Sequence, residues 1–258
     1  MSHPEPLSEW RETVSRAFPG LSQPQATVLA LWSYGMVLAR SCGRTVVSAA
    51  LALSVGCSQA SMEQRLREWC LDAKDKQGEH RQALDVSSCF APLLGWILRW
   101  WPADETRLVL ALDASTLKKR FTVLCVSVVY RGCAIPVAWH IVGAEEKGSW
   151  RPIWLTLLSQ VAVGVPADWL VLVLSDRGLY APWLFEHLVD LGWHPFMHIN
   201  KQGNVRPVEQ QAFCTLASLV PTVGSQWSGK EESPTCLLAG ALGRGLPRSL
   251  ADPDRSAP

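Results

Sequence analysis

An excess of charge of one sign is what this sequence most lacks. Its 24 lysines and arginines stand against 23 aspartates and glutamates, a formal net charge of +1. A chain so balanced has no global pull on polyanions, so any nucleic-acid partner must be met by local basic clusters. Apolar runs of bilayer length are missing too. The longest, Val28–Ala39 and Phe90–Trp101, fall short of the roughly 20 residues a spanning helix needs, and the second contains Arg99. The segment Met1–Pro6 has no basic stretch leading into an apolar core, so no secretory signal is expected. Among the eight cysteines (Cys42, Cys57, Cys70, Cys89, Cys125, Cys133, Cys214, Cys236) there is no CxxC pair and no metal-type spacing. Most lie in apolar segments as small hydrophobes, and reduced thiols are expected. The six histidines form no HExxH pattern, and none is assigned to a metal. Together these absences predict a soluble, cytoplasmic protein with no membrane partner.

What remains is globular composition: 258 residues, 48% of them hydrophobic and 18% charged, enough to bury a real core. The thirteen tryptophans fall mostly at apolar helix positions and read as core. Residues 1–20 hold three prolines and read as a flexible arm. From 21 to 105 the pattern is helical, with helices expected over Gln23–Ala39 (Ser22 as a cap), Thr45–Leu53, Ser61–Cys70 and Phe90–Trp101. The second and third, separated by a turn containing Gly56, resemble a helix-turn-helix. Arg65 and Arg67 on the later helix are then candidate nucleic-acid contacts, and a plain helical bundle is the alternative.

From Arg107 the grammar changes to alternating strand and helix. Strands are expected at Arg107–Leu112, Phe121–Tyr130, Ala134–Val142, Trp169–Ser175 and His194–Ile199. Helices are expected from Ser149 to Val163 and from Tyr180 to Leu191, and a tight hairpin at Arg131–Gly132. Short connections pair the first three strands antiparallel, and helical crossovers add the last two in parallel. That order is similar to the ribonuclease H-like fold, a mixed five-stranded sheet over 106–200, in which the first and fourth strands are neighbours. The first and fourth runs are apolar on both faces, as for central strands covered on both sides, and each is followed by an aspartate, Asp113 and Asp176. Two carboxylates at the carboxyl ends of neighbouring strands form a hard-oxygen site for Mg²⁺, with Mn²⁺ as a substitute, of the kind that serves phosphoryl transfer. Basic residues cluster nearby in sequence: Lys118, Lys119 and Arg120 between the first two strands, Arg177 after the second aspartate, and Lys201 and Arg206 after the fifth strand. All six are candidate contacts to a DNA backbone.

Five segments together, LALDAST (110–116), YRGCAIPVAW (130–139), GSWR (148–151), SDRGL (175–179) and GWHP (192–195), resemble the DDE transposases of bacterial insertion sequences. The resemblance covers residues 25–238. It implies that Asp113 and Asp176 are the first two acids of a catalytic triad. It further implies a DNA-binding N-terminal region, Mg²⁺-dependent cutting and joining at transposon ends, and an insertion domain beginning within 201–239. The family carries its third acid in a helix with characteristic tyrosine, arginine and lysine, and that pattern is absent here. Arginine is usual in the family where this chain has His198. The resemblance stops near Ala239, and 240–258 read as a disordered tail. A chain cut short before the third acid is therefore expected, with weak or no activity of its own, alone as a homodimer or paired with a full-length transposase. Two alternatives stay open. One is a metal-dependent nuclease completing its site with Glu145, Glu146 or Asp190. The other is a non-catalytic DNA-binding remnant that inhibits full-length transposase.

Overall fold

The structure, a computed structural model, describes residues 5–77, 82–146, 148–198, 204–205, 212–222, 226–229 and 236–239. Four helices come first: α1 (Glu5–Ala17), α2 (Gln23–Ala39), α3 (Arg44–Val55) and α4 (Gln59–Trp69). The segment expected as a flexible arm is thus largely helix. Leu7, Val14 and Ala17 form a sparse inward stripe along α1 that its polar neighbours hide in sequence. The N-terminus of α2 is fixed by Gln25, whose Oε1 accepts from the Ser22 N–H at 2.9 Å and its hydroxyl at 3.0 Å. Leu7, Leu31, Val47, Leu51, Val55, Met62 and Leu66 form a core shared by all four helices. Gly35 lets α2 and α3 approach closely. A Cβ there would lie 2.7 Å from Leu51 and 2.8 Å from Val47.

Helix α5 (Phe90–Leu98) opens the second part. Asp85 anchors its start, accepting from the Ser87 hydroxyl at 2.6 Å and from the Ser87 and Ser88 amides. The Ser87 hydroxyl, and then the Ser88 amide, hold that carboxyl below the usual aspartate range. Then follow β1 (Arg107–Leu117), β2 (Phe121–Tyr130), β3 (Cys133–Gly143), α6 (Arg151–Ala162), β4 (Leu170–Ser175), α7 (Pro182–Asp190) and β5 (His194–Met197). The protein is α/β, with a mixed five-stranded sheet in the order β3-β2-β1-β4-β5, flanking helices and a helical N-terminal region. β1 pairs antiparallel with β2 and parallel with β4.

Helices α5, α6 and α7 share one core with Leu108, Leu110 and Leu112 of β1 and Val171 and Val173 of β4. Alternation turns Val109, Ala111, Leu172 and Leu174 the other way, where they are only half-buried. Five exposed large apolar residues, Leu117, Phe121, Ile141, Leu170 and Phe196, fall on that same second face. Full coverage of both faces, expected from the apolar runs, is therefore not found among the described residues. Gln226–Gly229 is a strand paired antiparallel with Cys236–Ala239. No single helix is long and apolar enough to cross a membrane among the described residues.

Two hairpins tie the antiparallel strands. Arg131 and Gly132, at φ 48° and 79°, make the expected tight turn between Tyr130 and Cys133. At the other, Lys118 and Lys119 both hold positive φ (50° and 55°), and the Arg120 N–H closes the turn on the Leu117 carbonyl at 3.1 Å. Side chains other than asparagine or glycine are strained in that geometry. Replacing Lys118→Asn with Lys119→Gly is expected to raise unfolding stability by about 1 kcal/mol in a urea titration. Gly35→Ala is expected to lower it by about 1–3 kcal/mol through overpacking between α2 and α3.

Candidate functional site

β1 does not end at Asp113. Ser115, Thr116 and Leu117 pair with Val123, Thr122 and Phe121, so the strand runs five residues further than the expected Arg107–Leu112. Asp113 is therefore a mid-strand residue opposite Cys125 of β2. On its other side, Leu112 of β1 aligns with Ser175 of β4, and one step further on each strand stand Asp113 and Asp176. Neighbouring strands lie about 4.8 Å apart, and both aspartates fall on the face opposite the buried core. They are 63 residues apart in sequence, and each follows directly on the last paired residues of neighbouring strands, Leu112 and Ser175.

Each carboxylate is held by a local donor. The Ser115 hydroxyl donates to Asp113 Oδ2 in a short hydrogen bond. Asp176 leaves β4 in extended conformation and caps the 3₁₀ turn Arg177–Leu179, accepting the Leu179 N–H on Oδ1 at 3.2 Å. Among the described residues no donor engages Asp113 Oδ1 or Asp176 Oδ2. Gly178 lies against the Asp176 carboxylate. A Cβ there would sit 3.5 and 3.6 Å from the two Asp176 oxygens, in ordinary contact with the carboxylate. Both aspartates are exposed and so open to a charged ligand from solvent.

The row extends across the sheet. Cys125 aligns with Trp139 of β3, and Ser175 with Met197 of β5, which puts His198 beyond Asp176. The His198 N–H donates to the Ser175 carbonyl at 3.0 Å, fixing it at the strand end. Trp139, Cys125, Asp113, Asp176 and His198 thus form one line, of which sequence reasoning found the two aspartates. Ser115 was missed as well. The signal for it was a hydroxyl two positions after a strand aspartate, on the same face.

Of the cationic candidates, Lys118, Lys119 and Arg120 are exposed at the β1–β2 tip, five residues along β1 from Asp113, about 16 Å. The extension of β1 carries them that far. Arg120 lies over the Phe121 ring, 5.5 Å from its centroid. Arg177 is exposed beside Asp176 and forms no ion pair with either aspartate among the described residues. Arg65 and Arg67 are exposed on α4, in the helical region. Lys201 and Arg206 lie outside the described residues. Glu146 accepts from the Gly143 N–H at 3.3 Å, and neither it, Glu145 nor Asp190 joins the aspartates in a cluster of three metal-binding groups.

The donor set fits a hard divalent cation in part. Two carboxylates that follow paired residues of adjacent strands supply the hard oxygens Mg²⁺ or Mn²⁺ takes, with water completing the shell. No family model matches this chain, nor does any curated protein.

The two roles of Asp176 separate by substitution. Asp176→Asn keeps an oxygen for the Leu179 N–H and is expected to leave the melting temperature within about 2 °C of wild type. Asp176→Ala is expected to cost about 1 kcal/mol, as for loss of a capping side chain. Both are checked by thermal unfolding followed by circular dichroism.

Proposed function

We propose that the chain is a transposase of an insertion sequence, of the DDE type on a ribonuclease H-like core. In this reading it binds transposon-end DNA, and Asp113 and Asp176 serve metal-dependent strand cleavage and transfer. The observation that carries the reading is the parallel pairing of β1 with β4, which sets the two carboxylates next to each other at a solvent-open sheet row. The strand order β3-β2-β1-β4-β5 supports the fold assignment. So does the placement of the five resembling segments. LALDAST lies on β1, YRGCAIPVAW spans the β2–β3 turn, and GSWR opens α6. SDRGL ends β4, and GWHP leads into β5.

Mg²⁺ held by Asp113 and Asp176 would supply Lewis acidity and lower the pKa of an attacking water or 3′-hydroxyl. The protein's own part is positional. Ser115 and the Leu179 N–H each occupy one carboxylate oxygen and leave the other for a ligand. The hairpin tip at Lys118–Arg120 lies about 16 Å further along β1, where its cations meet backbone phosphates flanking the scissile one. Arg177, unpaired with the aspartates among the described residues, stands ready for a phosphate closer in. The pair lacks a third carboxylate among the described residues, and slow cleavage by this chain alone is part of the proposal.

The test is cleavage of supercoiled and end-bearing linear duplexes with Mn²⁺ or Mg²⁺, beside a gel-shift assay without metal. Nicking that disappears in Asp113→Asn and Asp176→Asn, with DNA binding retained, is the expected result. Nicking unchanged in both variants contradicts the reading. Selective binding without any nicking returns the function to a DNA-binding remnant. A second measurement concerns the tip. Lys118→Asn with Lys119→Gly is expected to reduce the slope of log K against log salt by about 1.8, as for two lost phosphate contacts.

A further inference from the structure

We infer that the second face of the sheet docks a second copy of this chain, the cationic tip of each copy lying against Asp113 and Asp176 of the other. The inference goes beyond the preceding reading, and its test needs neither metal nor DNA. Alternation orders the side chains of this face in rows across the strands. Asp113 stands level with Cys125 and Trp139. The next row holds Ser115, Val123 and Ile141, and the one after it Leu117, Phe121 and Gly143. Beyond these comes the exposed tip, Lys118, Lys119 and Arg120, about 16 Å from Asp113.

Acidic, apolar and basic zones therefore follow one another along one face. In the middle zone Leu117, Phe121 and Ile141 are 51%, 38% and 55% exposed, and large apolar side chains gathered in this way mark an interaction surface. Leu170 and Phe196, level with Arg107 and Leu174, lie on the far side of the acids and outside this zone.

The charges select the partner and its orientation. Two acids and the neighbouring Arg177 leave one end at −1. At the other, Glu145 and Glu146 follow β3, and the Ala144 N–H bonds the Arg120 carbonyl at 2.8 Å, holding the start of that acidic segment to the tip. Three cations against these two acids leave the tip at +1. Ends of opposite sign with an apolar zone between them are self-complementary about a two-fold axis through that zone, which sets each tip on the other copy's aspartates. Alignment with the tips together would oppose like charges, and an acidic partner protein would suit the tip but repel the aspartates. Facing sheets pack about 10 Å apart, close enough for Phe121 and Ile141 of the two copies to meet. The footprint is small, so the dimer is weak and concentration-dependent. In it the aspartates are covered, and the paired form withholds them from other ligands.

Sedimentation velocity of the full chain over a range of concentrations tests the contact. Wild type is expected to pass from monomer to dimer as concentration rises, and less readily at high salt than at low. Reversing the tip with Lys118→Glu and Lys119→Glu, or the acids with Asp113→Lys and Asp176→Asn, opposes like charges and should weaken the dimer at least roughly tenfold. Asp176→Asn keeps an oxygen for the Leu179 N–H, and circular dichroism checks that each variant folds. Mixing the two variants makes both contacts complementary again, so a heterodimer about as tight as the wild-type dimer is expected. Ile141→Ser, at an exposed position, reads the apolar zone separately and should weaken the dimer about tenfold. A wild type monomeric at every concentration, a dimer indifferent to the reversals or to Ile141→Ser, or a mixture no tighter than either variant alone would overturn the inference. Failure of the nicking assay leaves all of these readings untouched.

Discussion

The parallel register between β1 and β4 is the constraint on which the site depends. Leu112 and Ser175 are partners because the buried sets Leu108, Leu110, Leu112 and Val171, Val173, Ser175 must face the same helices. A slip of one residue would turn every apolar side chain of one strand toward solvent. The core therefore fixes the register, and the register fixes the next residues, Asp113 and Asp176, as neighbours. Burial on one face of the sheet dictates chemistry on the other, with no bond between the two carboxylates.

Local hydrogen bonds then refine what the core positions. Ser115 and the Leu179 N–H act on opposite sides of the pair, each anchoring one oxygen. The second sheet face around them carries Leu117, Phe121, Ile141, Leu170 and Phe196 exposed, so the carboxylates sit at an apolar surface rather than in a cleft. The strained Lys118–Lys119 turn follows another logic. A glycine or asparagine would relax the backbone and remove charge, and strain retained at a cationic tip is consistent with a role for the charge.

Much of this was legible in the sequence. The strand from Phe121 to Tyr130 and the Arg131–Gly132 hairpin appear where alternation and turn chemistry put them. What escaped notice has identifiable causes. A carboxylate disfavours strands, so Asp113 looked like an end, and the pairing of Ser115–Leu117 with β2 overrode that preference. Three prolines masked α1, whose inward residues Leu7 and Val14 are widely spaced. Cys125 and His198 joined the acidic row through cross-strand alignment, which no single segment encodes. On α4, sequence pointed to Arg65 and Arg67 alike. Burial of Met62 and Leu66 separates them, leaving Arg67 outward and Arg65 on the flank.

Binding of Mn²⁺ followed by electron paramagnetic resonance tests the central claim most directly. If Asp113 and Asp176 share a cation, wild type binds Mn²⁺ and each single substitution to asparagine weakens it by more than about tenfold. Equal Mn²⁺ binding in wild type and both variants would contradict the account.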